Sequence, residues 1–482
     1  MLRIFNTLTK SLEEFKPLND NKVTFYHCGP TVYWVQQIGN LRAMTMADLI
    51  RRTLMYMDYD VKFARNYTDV GHLTGDNLGD ADTGEDRMEK GAKREGLSPQ
   101  QIADKYISIF EKDIKSLNII EPDFKPRATE YVKEMIVIVE KLLKDGFAYS
   151  TPKAIYFDIS KFSDYNKLNH QNIEKNIKGS GFGSVEDTEK KNPQDFAVWF
   201  FKTGVHKNAL QYWESPFESS EIEKGYGFPG WHIECSAMAI KLLGETIDLH
   251  MGGIEHISIH HTNEIAQSEC YTGKTFVNYW LHNEHLLVDG KKMSKSEGTS
   301  YFLSDVIDKG FHPLDLRYFF LQSHYRSKQN FTWEALLSAK VAYEKIIGVL
   351  VEISKNNKSN EKDIDKKYVQ QFKNSLAEDF NVPSALAVLW EVIKSQELSD
   401  QIKISTIYSF DKVLGLDFEN RVKVKSGENK TINPEAEKIL LQREDARKNK
   451  DWGKSDELRD LLLQKYKVKV EDTSEGQKFE LL

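Results

Sequence analysis

At 482 residues the chain exceeds what one ordinary hydrophobic core holds, and about three to five modules are expected. Hydrophobic residues make up 40% and charged residues 29%, a soluble globular balance with no run apolar enough to span a bilayer. The formal charge of −7 argues against a general polyanion binder but leaves room for a local basic face.

Three widely separated cysteines do not make a disulfide framework, and the first residues lack a secretory pattern, so a cytoplasmic location is expected. Val23-Thr24-Phe25-Tyr26-His27 reads as a strand that ends at Cys28 and opens into Gly29-Pro30. Leu41, Met44, Ala47, Ile50, Leu54 and Met57 follow at helical spacing, and Val61 to Tyr67 reads as a second strand. That crossover implies a parallel sheet. Residues from about 70 to 96 are rich in Gly and Asp and read as a long loop. Tyr131 to Leu143 reads as helix, Ala154 to Ile159 as strand, and Asn169 to Gln194 as a polar loop, within a block that interrupts the sheet. Sheet sequence resumes with a helical stripe of Trp231, Cys235, Met238 and Leu242, a strand Ile247 to His250, a helix His260 to Tyr271 and a strand Phe276 to Leu281. Beyond about 305 the chain is expected to be mostly helical, with polar linkers at Asn356–Lys367 and Asn420–Asn433.

Cys28, Cys235, His260 and Glu264 are donors of the kind zinc accepts: two thiolates, an imidazole and a carboxylate. His260 and Glu264 stand four apart, so one helix presents both on one face. A metal at the end of a strand in an α/β sheet lies where such folds bind ligands. The other readings are a structural zinc or two unrelated buried cysteines. Lys292-Met293-Ser294-Lys295-Ser296, followed by Glu297-Gly298, places two cations around hydroxyls after a strand. That pattern suits a clamp on a triphosphate; read alone, it also suits a solvated turn.

The same five residues match the KMSKS signature of class I aminoacyl-tRNA synthetases, and the chain as a whole resembles the cysteinyl-tRNA synthetase family. The resemblance rests on Leu2-Arg3-Ile4-Phe5-Asn6-Thr7-Leu8-Thr9, Cys28-Gly29-Pro30-Thr31-Val32-Tyr33 and Gly230-Trp231-His232-Ile233-Glu234-Cys235-Ser236-Ala237-Met238. It continues through Asn263-Glu264-Ile265-Ala266-Gln267-Ser268, Ser323-His324-Tyr325-Arg326-Ser327 and Asp379-Phe380-Asn381-Val382-Pro383. Near the end stand Ala446-Arg447, Lys450-Asp451-Trp452 and Val470-Glu471-Asp472-Thr473, so the likeness covers nearly the whole chain in order.

The resemblance implies an α/β fold: a Rossmann-like parallel-sheet catalytic domain with an insertion domain, followed by mostly α-helical C-terminal domains. The expected segments are 1–115 and 226–305 for the two catalytic halves, with 116–225 inserted between them. A stem-contact region at 306–345, a helical bundle at 346–425 and a small anticodon-binding domain at 431–482 follow. The implied activity is a cysteine–tRNA ligase reaction, in which ATP and L-cysteine form cysteinyl-adenylate and the acyl group passes to the 3' end of tRNA(Cys). One Zn2+ per chain, on Cys28, Cys235, His260 and Glu264, is implied to grip the substrate thiolate, and Mg2+ is implied with ATP. Such a metal prefers sulfur to the oxygen of serine, so no editing site is expected.

The resemblance also implies cysteine contacts at Gly29, Thr31, Thr68 and Trp231, and ATP contacts at Gly39, Lys295, His250 and Gly252. For Trp231 core packing is the alternative, and for His250 a buried hydrogen-bonded ring. Catalytic roles are implied for Lys292, Lys295, Gln37 and Asn40. The histidine-bearing phosphate motif of the class stands here as Gln37-Ile38-Gly39-Asn40, in which Gln37 and Asn40 cannot carry imidazolium charge. Two smaller departures are Thr262, where the family often has Glu, and Met251, where it often has Gly. The segment from 431 holds eleven Lys/Arg and twelve Asp/Glu, and Arg447, Lys450 and Trp452 are its candidates for RNA contact. Neither a membrane nor DNA is expected as a partner. Rival readings are a ligase that joins activated cysteine to a small-molecule amine, and a degenerate paralogue without catalysis.

Overall fold

The computed structural model describes residues 1–70, 86–170, 189–293, 298–427, 434–449, 451–473 and 476–481. An N-terminal hairpin pairs β1 (Arg3–Asn6) with β2 (Ser11–Glu14). The next strand, β3 (Lys22–His27), lies parallel to β4 (Asp60–Arg65), in the register Phe25 to Phe63 and His27 to Arg65. Their crossover helix, Ile38–Tyr56, buries Ile38, Leu41, Met44, Ala47, Ile50 and Leu54, the stripe its sequence spacing prescribes.

The intervening block is an antiparallel sheet of β5 (Ala148–Ser150), β6 (Ala154–Phe157), β7 (Phe196–Phe201) and β8 (Gly227–Pro229). Every residue of β7 is buried, so its apolar run does not alternate and gives no period-2 signal. Gly227 allows the close crossing of β8 over β7, since a Cβ there would lie 2.1 Å from the Phe200 carbonyl oxygen. The helix Val132–Lys144 packs on the helices Trp231–Leu243 and His260–Thr272, and one apolar core runs from Ile138 and Phe196 to Tyr26 and Trp280.

The parallel sheet is completed by β9 (Ile247–Gly253) and β10 (Val277–Asn283), giving the order β10-β9-β3-β4. All four strands run parallel, but β4 is added on one side of β3 and β9 with β10 on the other, so the C-terminal ends of β3 and β9 open a crevice at this switch point. Cys28 stands there, its backbone N–H donating to the Met251 carbonyl at 3.1 Å. A three-stranded sheet of β11 (Leu286–Val288), β12 (Lys291–Lys292) and β13 (Gln329–Phe331) follows. The α/β expectation is borne out, with a parallel sheet and a mostly helical remainder.

Two compact units divide the chain, Met1–Glu344 with Ser359–Leu416, and Lys345–Lys358 with Asp417–Leu482. In the first, Asp379 and Phe380 both adopt positive φ (57° and 56°). The turn they make brings the Asp379 carboxylate to the Phe5 N–H (2.9 Å), the Tyr325 hydroxyl (2.8 Å) and Arg326 Nε (2.6 Å). Three of the segments quoted above thus meet at one carboxylate. In the second unit, helices Pro434–Lys448 and Trp452–Tyr466 pack with a hairpin of β14 (Val468–Thr473) and β15 (Gly476–Leu481). Its buried Arg443 makes a two-pronged pair with Asp472, each bond 2.9 Å.

Two local expectations need correction. The loop read from 70 to 96 holds a helix, Arg87–Glu95, capped by Asp86 and stopped by Gly96 at φ 66°. Only Met88, Gly91 and Ala92 of it are buried, too few to stand out among the charges. The linker read at Asn420–Asn433 begins inside a helix, Phe418–Lys425, anchored by buried Phe418 and Val422 four apart.

Candidate active site

A cleft of about 620 Å³ opens at the C-terminal ends of the parallel strands. Cys28, Cys235 and His260 reach its wall from the end of β3 and from the helices Trp231–Leu243 and His260–Thr272. Their donor atoms converge with Glu264: Cys28 Sγ lies 3.9 Å from Cys235 Sγ and 3.8 Å from Glu264 Oε1, and His260 Nε2 lies 3.0 Å from that oxygen. Two sulfurs each about 2.3 Å from a tetrahedral zinc would stand roughly 3.8 Å apart, so the spacing fits.

The electrostatics fit as well. Burial, then the neighbouring Cys235, pushes the Glu264 carboxyl well above its ordinary range. Burial raises the Cys28 thiol in the same direction, and the adjacent Cys235 and Glu264 add to it. Glu264 Oε2 is buried without a hydrogen bond. Left alone these groups stay protonated, and a cation held among them would let them ionise.

A second donor set, Cys28, His250, His261 and Glu264, shares two members with the first. His250 Nε2 and His261 Nε2 approach Cys28 Sγ to 3.4 and 3.3 Å. Behind them His261 Nδ1 meets His282 Nε2 at 2.7 Å, and His282 Nδ1 meets Thr7 Oγ1 at 2.8 Å. Burial holds His250 and His261 well below their ordinary value and lowers His282 to about 3, so the array is neutral imidazole. Sequence reasoning set His250 beside ATP and did not assemble this array, whose signal was the density of histidines between positions 250 and 282.

The residues expected around cysteine converge on the same wall. Gly29 N–H donates to Asn66 Oδ1 at 2.8 Å, and Thr31 bridges Thr68 in parallel. Trp231 is half-buried, its ring stacked on His260 at 4.4 Å. Gly29 has no room for a side chain: a Cβ would fall 1.6 Å from the Asn66 carbonyl oxygen. Gly29→Ala is therefore expected to part these two strand ends and to cut activity at this cleft by roughly 100-fold, as a shift of about 1 Å does elsewhere; steady-state kinetics on the soluble variant checks this.

Gln37, Gly39, Asn40 and Lys292 line the neighbouring part of the cleft. Lys295 lies outside the described residues. His250 and Gly252, expected beside ATP, sit behind the wall instead. The His250 ring is fully buried and stacked on Trp280 at 4.6 Å. Gly252 makes space for imidazoles, since its Cβ would lie 2.5 Å from His256 Nδ1 and 2.6 Å from His261 Cε1.

Residues 14–341 match the family model described as tRNA synthetases class I (C) catalytic domain. The cysteine–tRNA ligase of Treponema denticola is 40% identical over 96% of both chains. That of Borrelia hermsii is 36% identical over 99% of both, and that of Chlorobaculum tepidum 37% over 98% of both. The chain belongs to the cysteine–tRNA ligase family.

Solved structures extend the likeness in fold alone. Mycobacterium tuberculosis methionyl-tRNA synthetase bound by methionyl-adenylate superposes with a TM-score of 0.55, at 14% identity, covering 84% of this chain and 92% of that one. The LeuRS of an Agrobacterium radiobacter K84 ternary complex gives 0.58 at 10% identity, covering 87% and 86%. Membership of the cysteine–tRNA ligase family makes this chain a class I aminoacyl-tRNA synthetase. Among the described residues no helix is long and apolar enough to cross a membrane.

Proposed function

We propose that this synthetase acts in the cytoplasm, activates L-cysteine with ATP and Mg2+, and transfers it to the 3' end of tRNA(Cys). In this reading Cys28, Cys235, His260 and Glu264 would hold a zinc ion beside the substrate thiol. The observation that carries it is the convergence of two thiols, an imidazole and a buried carboxylate on the wall of a cleft that also holds the phosphate motif. This set is favoured over Cys28, His250, His261 and Glu264 because Cys235 and His260 face the cleft, whereas His250 and His261 do not. Zinc, when bound, favours a thiolate over a hydroxyl and so separates cysteine from serine without editing.

The remaining work falls to the chain. Thr68 and Thr31, held together across two strand ends, orient the amino acid beside Trp231. The helix Ile38–Tyr56, with Gly39 in its first turn, directs its positive N-terminal end at the nucleotide phosphates. Lys292, with Lys295, counters charge that develops on the phosphoryl oxygens as the cysteine carboxylate attacks the α-phosphate. The small terminal domain at 431–482 reads the anticodon, with Trp452, 56% exposed and 5.5 Å from the Arg447 guanidinium carbon, as a stacking platform. The finer six-segment division of the chain belongs to the same proposal.

ATP–pyrophosphate exchange tests the reading. Cysteine is expected to support exchange and serine to be slower by about 10⁴-fold, the discrimination a specific polar site attains. Equal rates would contradict it.

A further inference from the structure

The amide side chains that replace histidine in the phosphate motif are both committed to protein partners. Gln37 Nε2 donates to Ser300 Oγ at 2.9 Å. Asn40 Nδ2 donates to Gln36 Oε1 at 2.7 Å, and Gln36 Nε2 is in turn fixed by the Thr31 and Trp34 carbonyls at 3.2 Å each. The Gln37–Ser300 bond does not stand alone. The Ile38 N–H donates to the Tyr301 carbonyl at 2.9 Å, and Gln37 pairs antiparallel with Phe302. On the other side Met293 packs against Gly39 so closely that a Cβ on the glycine would lie 2.3 Å from the methionine methyl. Residues 37–39 therefore touch the lysine-bearing segment at both of its described flanks, Lys292-Met293 and Ser300-Tyr301.

We propose that Gln37 is a positioning residue whose neutral amide tethers Ser300, and that this tether sets where Lys292 meets the nucleotide phosphates. The inference rests on the ATP-dependent reading above. It also accounts for the departure from histidine. An imidazole at 37 would bring a titrating group to this contact. The primary amide has two N–H donors, so one can stay on Ser300 while the other faces the cleft.

A double-mutant cycle in cysteine-dependent ATP–pyrophosphate exchange tests the tether, with Gln37→Ala, Ser300→Ala, the double variant and Ser300→Thr in the full-length protein. Each alanine variant is expected to lose about five-fold in kcat, the weight of one neutral hydrogen bond, with KM for cysteine and the metal content unchanged. The double variant is expected to be no slower than either single, and Ser300→Thr, which keeps the hydroxyl, to retain the wild-type rate. Independent losses that multiply in the double variant, or a Ser300→Ala protein with wild-type kcat, would overturn the tether while leaving the ATP-dependent reading intact. Absence of exchange in the wild-type protein would overturn both.

Discussion

Cys28→Ala is expected to purify with far less than one equivalent of zinc and to lose roughly 10³-fold in cysteine activation. A four-ligand zinc site is worth about 10–16 kcal/mol, so one thiolate accounts for about 4 kcal/mol, which is roughly 10³ in rate or affinity. The informative companion is Cys235→Ala. Cys28 and Glu264 belong to both donor sets, but Cys235 belongs only to the set that faces the cleft. If that set holds the ion, Cys235→Ala loses metal and activity as Cys28→Ala does. If the inner histidines held it, Cys235→Ala would keep its zinc. Cys270→Ala is the control: that thiol is half-buried and pushed up to about 12 by burial, and its loss is expected to change neither metal nor activity. Metal analysis of the three variants beside exchange rates decides between these outcomes.

The largest expected effect on stability lies away from the cleft, at Asp48. This buried carboxylate accepts from Arg52 Nε (2.8 Å), Arg317 Nη2 (2.7 Å) and the Ile120 N–H (2.9 Å). Arg317 is buried in turn, and donates also to the carbonyls of Leu414 (2.7 Å), Leu117 (2.9 Å) and Asn118 (3.3 Å). Gly415, at φ 62°, lets the guanidinium pass, since a Cβ there would lie 2.5 Å from Nη2. The network ties the crossover helix to the helices Pro313–Leu321 and Asp400–Leu414. Asp48→Ala leaves a buried guanidinium uncompensated and is expected to cost about 3–5 kcal/mol, read from urea unfolding. Burial alone would raise the Asp48 carboxyl, but Arg52, Arg317 and the Ile120 N–H outweigh it and hold it below its ordinary value. A carboxyl depressed in the folded state contributes stability that is fully present above its unfolded pKa and is lost as pH falls through its folded one. The wild type is therefore expected to weaken on acidification below the ordinary aspartate range, and Asp48→Ala to lack that component.

What the sequence made legible were features with a local period or a short motif. The stripe Leu41, Met44, Ala47, Ile50 and Leu54 prescribes its helix because side chains three and four apart share a face, and Cys28 reads as a strand end because Gly29-Pro30 stops the run. The spacing of His260 and Glu264 was likewise local, and the two atoms stand 3.0 Å apart. Features assembled from distant segments gave no such signal. His250, His261 and His282 come together only through the pairing of β9 with β10 and the packing of the helix between them. Asp48 and Arg317 are 269 residues apart, and nothing near either one announces the other. The strand β7 was hidden by burial on both faces, and the helix Arg87–Glu95 by its charge. The tether between Gln37 and Ser300 belongs to the same class, visible only once the two loops share a cleft.

The central claim is that the protein holds its amino acid by sulfur on a metal ligated by Cys28 and Cys235. X-ray absorption at the zinc edge of the purified protein counts those sulfurs directly. Two are expected in the protein alone, three once L-cysteine is added, and two again with L-serine. A count that stays at two with saturating cysteine, or a metal with no sulfur neighbours at all, would contradict the account.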